Sequence, residues 1–284
     1  MASGWYRPAS LGVALVLIAA GPRIATAAPP RPVLVELFTS QGCGSCPAAD
    51  EFVRELPRLG LGPDRVVPLT FHVDYWDELG WKDPFGSAAF TARQRDYARA
   101  RTLASPAGEE GISGVYTPQM IVDGRVHFSG ARRDVALAEI ARAAARVPEA
   151  ALIATADATS GEVRVRVRVA APLGSVRPAV PPKAEANWVL RVALTAREEQ
   201  TRVPRGENRG RMLTEVEVVH VLSPPLPIDR ARDRPLEVTL ARPDRLGWDA
   251  VHVVAFVQSA ENQRIVATTR VPISIHAPAS DSIH

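Results

Sequence analysis

The sequence predicts an α/β domain followed by an all-β, sandwich-like domain, and three observations lead to this fold class. Before Val147-Pro148, short apolar strands alternate with segments whose apolar residues recur at helical spacing. After this point, most apolar segments are rich in β-branched residues and are bounded by turn residues, as strands are. The chain has only 2 cysteines, so apolar burial must hold the fold together. We expect one domain at residues 31–147, a second at 150–275, and a tail at 276–284.

Residues 1–27 have the layout of a secretory signal peptide. Arg7 precedes an apolar run from Leu11 to Gly21, and small residues with an A-x-A pattern follow it. The run is short for a membrane span, which leaves an uncleaved anchor as the alternative. We therefore expect an exported protein, periplasmic or secreted, in a compartment where disulfides persist.

The charge of the mature chain argues against some classes of partner. Loss of residues 1–27 removes two arginines and no acid, which lowers the formal net charge from +3 to +1. A chain this close to neutrality does not favour nucleic acid or anionic membranes. No later segment resembles a membrane span, so we expect neither a nucleic-acid partner nor a span after the signal is cleaved.

The first domain is predicted to run strand, helix, strand, helix, hairpin, helix. Its strands are apolar on both faces, as in a sheet covered on both sides, and the hairpin turns at Asp123-Gly124. Its helices have apolar residues three, four or seven positions apart, and Pro47 suits the first helical turn. This is the order of elements in the thioredoxin fold, so the α/β domain is predicted to be thioredoxin-like. The predicted segments are, in chain order, 32–40, 46–59, 65–75, 87–103, 118–130 and 132–147.

The second domain is predicted from successive strands separated by turns. In the segment 161–170, valines alternate with arginines, which places the valines in a core and the arginines on a solvated face. Residues 171–186 form a proline-rich connection. The polar, glycine-punctuated segment 205–211 is interpreted as a shaped turn at the domain interface.

The two cysteines, Cys43 and Cys46, form a C-x-x-C motif between the first predicted strand and the first helix. Backbone N–H groups and the positive end of the helix dipole favour a thiolate there. Cys43 is therefore the expected nucleophile, and Cys46, one turn inside the helix, can resolve a mixed disulfide. Glu36 alternates with apolar residues in the preceding strand, so it is a candidate to accept a proton from Cys46. The alternative is a Glu36 that pairs with a basic side chain or turns outward.

Two other segments are candidates for substrate binding. Thr117 and Pro118 open a strand, and a cis peptide there would present its backbone to an extended partner chain. Trp76 and Trp81 belong to an aromatic-rich insertion after the second strand, at the edge where α/β sheets place their sites. The alternative is that these aromatic side chains only fix the insertion to the body of the protein.

Four long segments, 35–50, 71–98, 115–125 and 205–222, together resemble the secreted bacterial family called domain of unknown function 1223. That family is a branch of the thioredoxin-like superfamily. The resemblance implies a thioredoxin-like fold with a Cys43/Cys46 pair, Thr117-Pro118 in the cis-proline position, and an added C-terminal β domain. The chain departs from typical thioredoxins in lacking an aromatic residue before the first cysteine and in its long insertion, which leaves substrate and redox potential open.

Three functions are compatible with the cysteine pair. Two thiolates with His72 could bind Cu(I) in a metallochaperone, but the chain has no second C-x-x-C and no H-x-x-x-H. A purely structural disulfide would close one short turn and stabilise little. We therefore predict a thiol-disulfide oxidoreductase that acts on protein thiols or disulfides of the cell envelope through Cys43, Cys46 and Glu36. We expect no cofactor other than the disulfide, and no metal.

Overall fold

The computed structural model describes residues 1, 31–106, 114–170, 187–228 and 234–275. The strands within these ranges are β1 (Val33–Thr39), β2 (Val66–His72), β3 (Gln119–Val122), β4 (Val126–Ser129), β5 (Ala151–Ala158), β6 (Glu162–Ala170), β7 (Trp188–Arg202), β8 (Met212–Leu222), β9 (Leu226–Pro227), β10 (Leu236–Ala241), β11 (Val251–Ser259), β12 (Ile265–Val271) and β13 (Ile273–Ile275). The helices are α1 (Pro47–Glu55), α2 (Ala88–Ala100) and α3 (Arg133–Ala144), with 3-10 turns at Leu56–Leu59, Asp77–Leu79 and Trp248–Ala250.

Several predictions about the ends and linkers of the chain lie outside the described residues. These are the signal peptide after its first residue, the proline-rich connection at 171–186 and the tail at 276–284. Within the part of the chain that the structure describes, no helix is long and apolar enough to cross a membrane.

The strands form two sheets. The larger sheet has the order β12-β11-β7-β8-β2-β1-β3-β4, with β9 beside β7, and the smaller has the order β10-β6-β5-β13. In the larger sheet β1 is parallel to β2 and antiparallel to β3. The strand β2 in turn pairs in parallel with β8, at Thr70 and Val218. One continuous sheet therefore contains strands from both halves of the chain.

The predicted fold class, an α/β thioredoxin-like domain followed by a separate all-β domain, is wrong. Of the described residues, 43% lie in strands and 20% in helices, and the strands form two mixed sheets, so this part of the chain does not divide into an α/β domain and a separate β domain. The physical reason is the junction between β2 and β8, where Thr70 Oγ1 also donates to the Val216 carbonyl oxygen at 2.8 Å. These two residues are 146 positions apart, and local periodicity carries no information about such a pairing.

The local elements of the first half agree with the sequence. Helices and strands follow one another in the predicted order, and β3 and β4 form the predicted hairpin. Asp123 and Gly124 in its turn have φ angles of 50° and 61°. Both lie in the left-handed region that Asp-Gly turns use in hairpins. In β6 Val163, Val165 and Val167 are buried, Val169 is partly buried, and the arginines between them are exposed, which agrees with the predicted alternation.

The strand β1 lies between two cores. Val35 and Leu37 face α1 and α3, whereas Leu34 and Phe38 face α2. The second of these cores also contains residues from β7, β8, β11 and β12, so it joins the two halves of the chain. A third core fills the space between the larger and smaller sheets. The carboxyl end of β1, where the cysteines lie, is therefore supported on both faces.

Candidate functional site

A disulfide between Cys43 and Cys46 lies where β1 passes into α1. Tight turns bring the cysteines there: the Cys43 N–H donates to the Ser40 carbonyl oxygen at 3.1 Å, and the Cys46 N–H donates to the Cys43 carbonyl oxygen at 3.2 Å. A proline then begins the helix, where its missing N–H costs no hydrogen bond. Cys43 is 1% exposed and Cys46 is fully buried. The disulfide loop, residues 41–46, therefore reaches solvent only through Gly44 and Ser45.

The connection between β7 and β8 closes over the disulfide loop. Asn208 Nδ2 donates to the carbonyl oxygens of Gln41 and Cys43, each at 2.9 Å. The Gly44 N–H donates to Glu207 Oε2 at 2.7 Å. The sequence predicts only a shaped turn in this connection, and the polar composition of its tip was the sole local sign of a further role. The structure places its side chains on the backbone that holds the cysteines.

A carboxyl group lies behind the disulfide on the same helix. Asp50, one turn after Cys46, is 6% exposed, and its Oδ2 accepts a hydrogen bond from Thr39 Oγ1 at 3.3 Å. Its Oδ1 is buried without a hydrogen-bond partner among the described residues. Burial, reinforced by the nearby Glu215, raises the pKa of Asp50 from 3.8 to about 7. Asp50 can therefore take up or release a proton near neutral pH.

A buried ion pair lies beside Asp50. His72 is the register partner of Thr39 in the neighbouring strand, so its side chain lies on the face of the sheet that carries Asp50. His72 Nδ1 is 2.8 Å from Asp83 Oδ2, which also accepts from the Gln41 N–H at 2.8 Å. Burial disfavours the charged form of both groups. The nearby Asp83 nevertheless raises the pKa of His72 to about 9, and the nearby His72 lowers the pKa of Asp83. The pair is charged at neutral pH and fixes the start of the disulfide loop.

A groove of about 450 Å³ runs between α1 and β8. Two acidic residues that line the groove, Asp50 and Glu215, are buried. Both carboxylate oxygens of Glu215 accept from Gln41 Nε2, each at 3.2 Å. Burial raises the pKa of Glu215 as well. The groove gives solvent a path for proton exchange with Asp50. The lining residues are Pro47, Asp50, Glu51, Arg54, Arg211, Met212, Leu213, Thr214 and Glu215.

Glu36, the carboxyl group that the sequence favours as proton acceptor, lies on the other face of β1. It is fully buried, as expected. Its Oε1 accepts from Arg93 Nε at 2.6 Å, and its Oε2 accepts from the Tyr97 hydroxyl. The structure thus brings Glu36 together with a basic side chain on α2, the alternative considered above. Asp50 is the buried carboxyl group on the helix of the cysteines, and its position four residues after Cys46 was visible in the sequence.

The four candidate substrate-binding residues are placed as follows. Trp76 Nε1 donates to Thr117 Oγ1 at 2.8 Å, which links the insertion to the start of β3. Trp81 Nε1 donates to Gln41 Oε1 at 3.2 Å, next to the disulfide loop. The Thr117-Pro118 peptide is cis. Both indole N–H groups are used within the chain, and the substrate-binding role of these residues stays a prediction.

The described part of the chain holds no group of three or more His, Cys, Asp or Glu side chains that could bind a metal ion. His72, the imidazole that the sequence offers as a third ligand beside the cysteines, is fully buried, and its Nδ1 pairs with Asp83.

Comparison with known proteins identifies the family. The sequence profile of a family described as "Protein of unknown function (DUF1223)" matches residues 34–258. This range includes both cysteines and the β7–β8 connection. The chain belongs to the DUF1223 family. The resemblance seen in the sequence to this family is thereby confirmed. No curated protein matches this DUF1223 chain.

Two solved structures are similar to this DUF1223 protein. A crystal structure of a protein from Agrobacterium tumefaciens is 27% identical, with a TM-score of 0.56, over 86% of this chain and 94% of that chain. HBP35 of Porphyromonas gingivalis is 16% identical, with a TM-score of 0.57, over 91% of this chain and 80% of that chain. The second likeness concerns the fold alone. Both extend over the first and second halves of this chain together.

Proposed function

We propose that this DUF1223 protein carries out thiol-disulfide exchange with proteins outside the cytoplasm through Cys43 and Cys46. The observation that carries this proposal is the disulfide at the start of α1, with the buried, unsatisfied carboxyl group of Asp50 one helical turn behind it. A helix start favours a thiolate, and a carboxyl group with a pKa of about 7 suits proton transfer at neutral pH. The expected signal peptide supports a periplasmic or secreted location.

In the oxidising direction, a partner thiolate attacks the Cys43 sulfur and the Cys43–Cys46 bond breaks. Cys46 leaves as a thiolate and takes a proton from Asp50, which regains one from solvent through the groove. A second partner thiol then attacks the mixed disulfide and releases Cys43. Two electrons and two protons pass from the partner to the pair, and the reducing direction reverses each step. Asp50 replaces Glu36 in this scheme because Glu36 is held by Arg93 on the opposite face.

The test uses a synthetic dithiol peptide as the partner and the mature protein as oxidant. Wild-type protein is expected to oxidise the peptide, and Cys43→Ser is expected to abolish the reaction because the attacked sulfur is missing. Cys46→Ser, presented with the oxidised disulfide form of the peptide, is expected to retain a mixed disulfide between Cys43 and one peptide sulfur, while the other peptide sulfur leaves as a thiol; mass spectrometry detects this species. Glu162→Gln, at an exposed glutamate on the smaller sheet, leaves both sulfurs and serves as the control. No reaction of the wild-type protein, in either direction, would contradict the proposal.

The burial of both cysteines favours a second candidate, a structural disulfide in a binding protein. Titration of metal-free protein with dithiothreitol and glutathione buffers separates the two. A pair that exchanges reversibly with glutathione supports the redox function, because structural disulfides in secreted proteins resist reduction by the glutathione pool. A disulfide reduced only after global unfolding would support the structural role.

A further inference from the structure

The Gly44 N–H is committed to a side chain from the other half of the chain. It donates to Glu207 Oε2 at 2.7 Å. A Cβ added to Gly44 would lie 2.7 Å from the same oxygen, so a side chain at position 44 would displace the carboxylate from this contact. Gly44 directly follows Cys43, so its N–H is the first backbone donor after the residue whose sulfur is expected to react.

Glu207 is held in place by the β7–β8 connection, residues 203–211. Asn208, the next residue, is fully buried, donates to two carbonyl oxygens of the disulfide loop, and accepts from Arg211 Nη1 at 2.9 Å. Across the base of the connection, the Val203 N–H donates to the Arg211 carbonyl oxygen at 3.0 Å. The carboxylate therefore reaches Gly44 from a fixed backbone, although Glu207 itself is exposed.

The contact between Glu207 and the Gly44 N–H affects the free energies of the disulfide form and the reduced form differently. In the disulfide, Cys43 carries no charge, and the Glu207 carboxylate is a favourable acceptor for the Gly44 amide. In the reduced protein, a Cys43 thiolate requires N–H donors, and one of them is already occupied. The carboxylate also adds a second negative charge beside the thiolate, which disfavours that form.

We propose that Glu207 is a positioning residue that stabilises the Cys43–Cys46 disulfide relative to the dithiol by holding the Gly44 N–H and disfavouring the Cys43 thiolate. This inference deepens the proposed function and rests on exchange at Cys43. In the half-reaction, the disulfide takes up two electrons and two protons to give two thiols, and Glu207 shifts this balance toward the disulfide. The other titratable groups around the loop are Asp50 on α1, His72 on β2, Asp83 in the insertion and Glu215 on β8, and arginines flank Glu207 in the connection.

The experiment measures the equilibrium of the cysteine pair with reduced and oxidised glutathione. Glu207→Gln keeps an oxygen that can accept from Gly44 but removes the charge. We expect the equilibrium to shift roughly fivefold toward the dithiol, the size of one charge–charge interaction in a solvent-exposed setting. The pH midpoint of iodoacetamide reaction at Cys43 in the reduced protein is expected to fall in the same variant. Glu162→Gln, at an exposed glutamate on the smaller sheet, is the matched control.

Three results would overturn the inference. The first is an unchanged equilibrium and pH midpoint in Glu207→Gln, and the second is an equal shift in Glu162→Gln. The third is a shift in Glu207→Ala without one in Glu207→Gln, because the negative charge of Glu207 would then play no part. Glutathione reports on the pair without any partner protein. A wild-type chain that fails to oxidise the dithiol peptide, while Glu207→Gln still shifts the glutathione equilibrium, would therefore reject the proposed function and leave this inference standing.

Discussion

Two buried clusters of charged side chains lie on opposite faces of β1, and they differ in how completely their polar atoms are paired. On the α2 face, Glu36 accepts from Arg93 and Tyr97. On the α1 face, Asp50 and His72 each leave one buried polar atom without a hydrogen bond among the described residues, Oδ1 and Nε2. The charged side chains of both clusters are buried, and both clusters flank the same strand.

In the α2-face cluster the side-chain polar atoms of Glu36, Arg93 and Tyr97 are all hydrogen-bonded, whereas Nε of the neighbouring Arg191 on β7 is buried without a partner among the described residues. Arg93 Nη1 donates to Gln258 Oε1 at 3.1 Å and Nη2 donates to the Tyr97 hydroxyl at 3.2 Å, in addition to the bond from Nε to Glu36. The guanidinium also lies 5.4 Å from the centre of the Phe256 ring. Residues from β1, α2 and β11 therefore meet at one cation. This cluster ties the two halves of the chain together.

Buried charged groups differ in their proton chemistry according to whether all of their polar atoms are hydrogen-bonded. A buried ion pair with every hydrogen bond made adds little chemistry, because a change in the protonation of one partner would leave the charge of the other buried and unpaired. A buried carboxyl group that lacks a partner holds its proton to higher pH, as Asp50 does with a pKa of about 7. The α2-face cluster is suited to architecture, and the α1-face cluster is suited to proton transfer.

The largest expected effect breaks the satisfied cluster. Arg93→Met leaves the Glu36 carboxylate buried without its cation, and removal of one partner from a buried pair costs roughly 4–5 kcal/mol. The free energy of unfolding in urea measures this loss. Arg95→Met, at an exposed arginine on the same helix, is the control and should change stability little.

The double variant Arg93→Met with Glu36→Leu sharpens the same point. It removes both charges, so we expect it to recover much of the stability lost in Arg93→Met. An Arg93→Met variant as stable as the wild type would show that the interactions of Arg93 with Glu36 and Gln258 do not stabilise the fold.

The second prediction concerns the unsatisfied cluster and pH. The pKa of Asp50 is raised from 3.8 to about 7, so its contribution to stability is present below about pH 4 and is lost as pH rises through 7. Asp50→Asn removes this loss. Between pH 4 and pH 8, the free energy of unfolding of Asp50→Asn should rise by about 4 kcal/mol relative to that of the wild type, at roughly 1.4 kcal/mol per pKa unit. Urea unfolding across this pH range measures the difference.

Asp64→Asn, at an exposed aspartate before β2, is the matched control. It should run parallel to the wild type over the whole range. If Asp50→Asn also runs parallel, the carboxyl group titrates as an ordinary one and the contrast between the two faces disappears. Asp50→Asn should also slow the oxidation of the dithiol peptide by about 100-fold. This is the lower end of the effect of removing a general acid or base.

The smallest expected effect concerns the connection over the disulfide loop. Asn208→Ala leaves the Gln41 and Cys43 carbonyl oxygens without this donor, which we expect to cost about 2 kcal/mol. Hydrogen exchange should also become faster at the amides of the disulfide loop, because the connection no longer holds them. Asn187→Ala, at an exposed asparagine before β7, is the control. Equal protection of the loop in both variants would show that Asn208 does not fix it.

Some features of the site were predictable because they depend on neighbours in sequence. The position of Cys43 and Cys46 at the start of a helix follows from the strand before them and the proline after them. The hairpin turn at Asp123-Gly124 follows from local backbone preference. The burial of Glu36 follows from its alternation with apolar residues.

Other features were not predictable because their partners are distant in the chain. Asn208 lies 165 positions from the Cys43 carbonyl that it contacts, and Glu207 lies 163 positions from Gly44. Nothing in the local sequence of the β7–β8 connection identifies these partners. The pairing of Glu36 with Arg93, 57 positions away, is of the same kind, and it changed the choice of proton acceptor from Glu36 to Asp50.

The sequence by itself determined the order of the elements, the apolar faces of the strands and the location of the cysteines, because these depend on spacing and on backbone preference within a few residues. The tertiary structure was needed to show that one sheet joins both halves, on which side of β1 Glu36 and Asp50 lie, and which residues cover the disulfide. These depend on which distant strands meet, and that choice is made by the packing of whole surfaces rather than by any short segment.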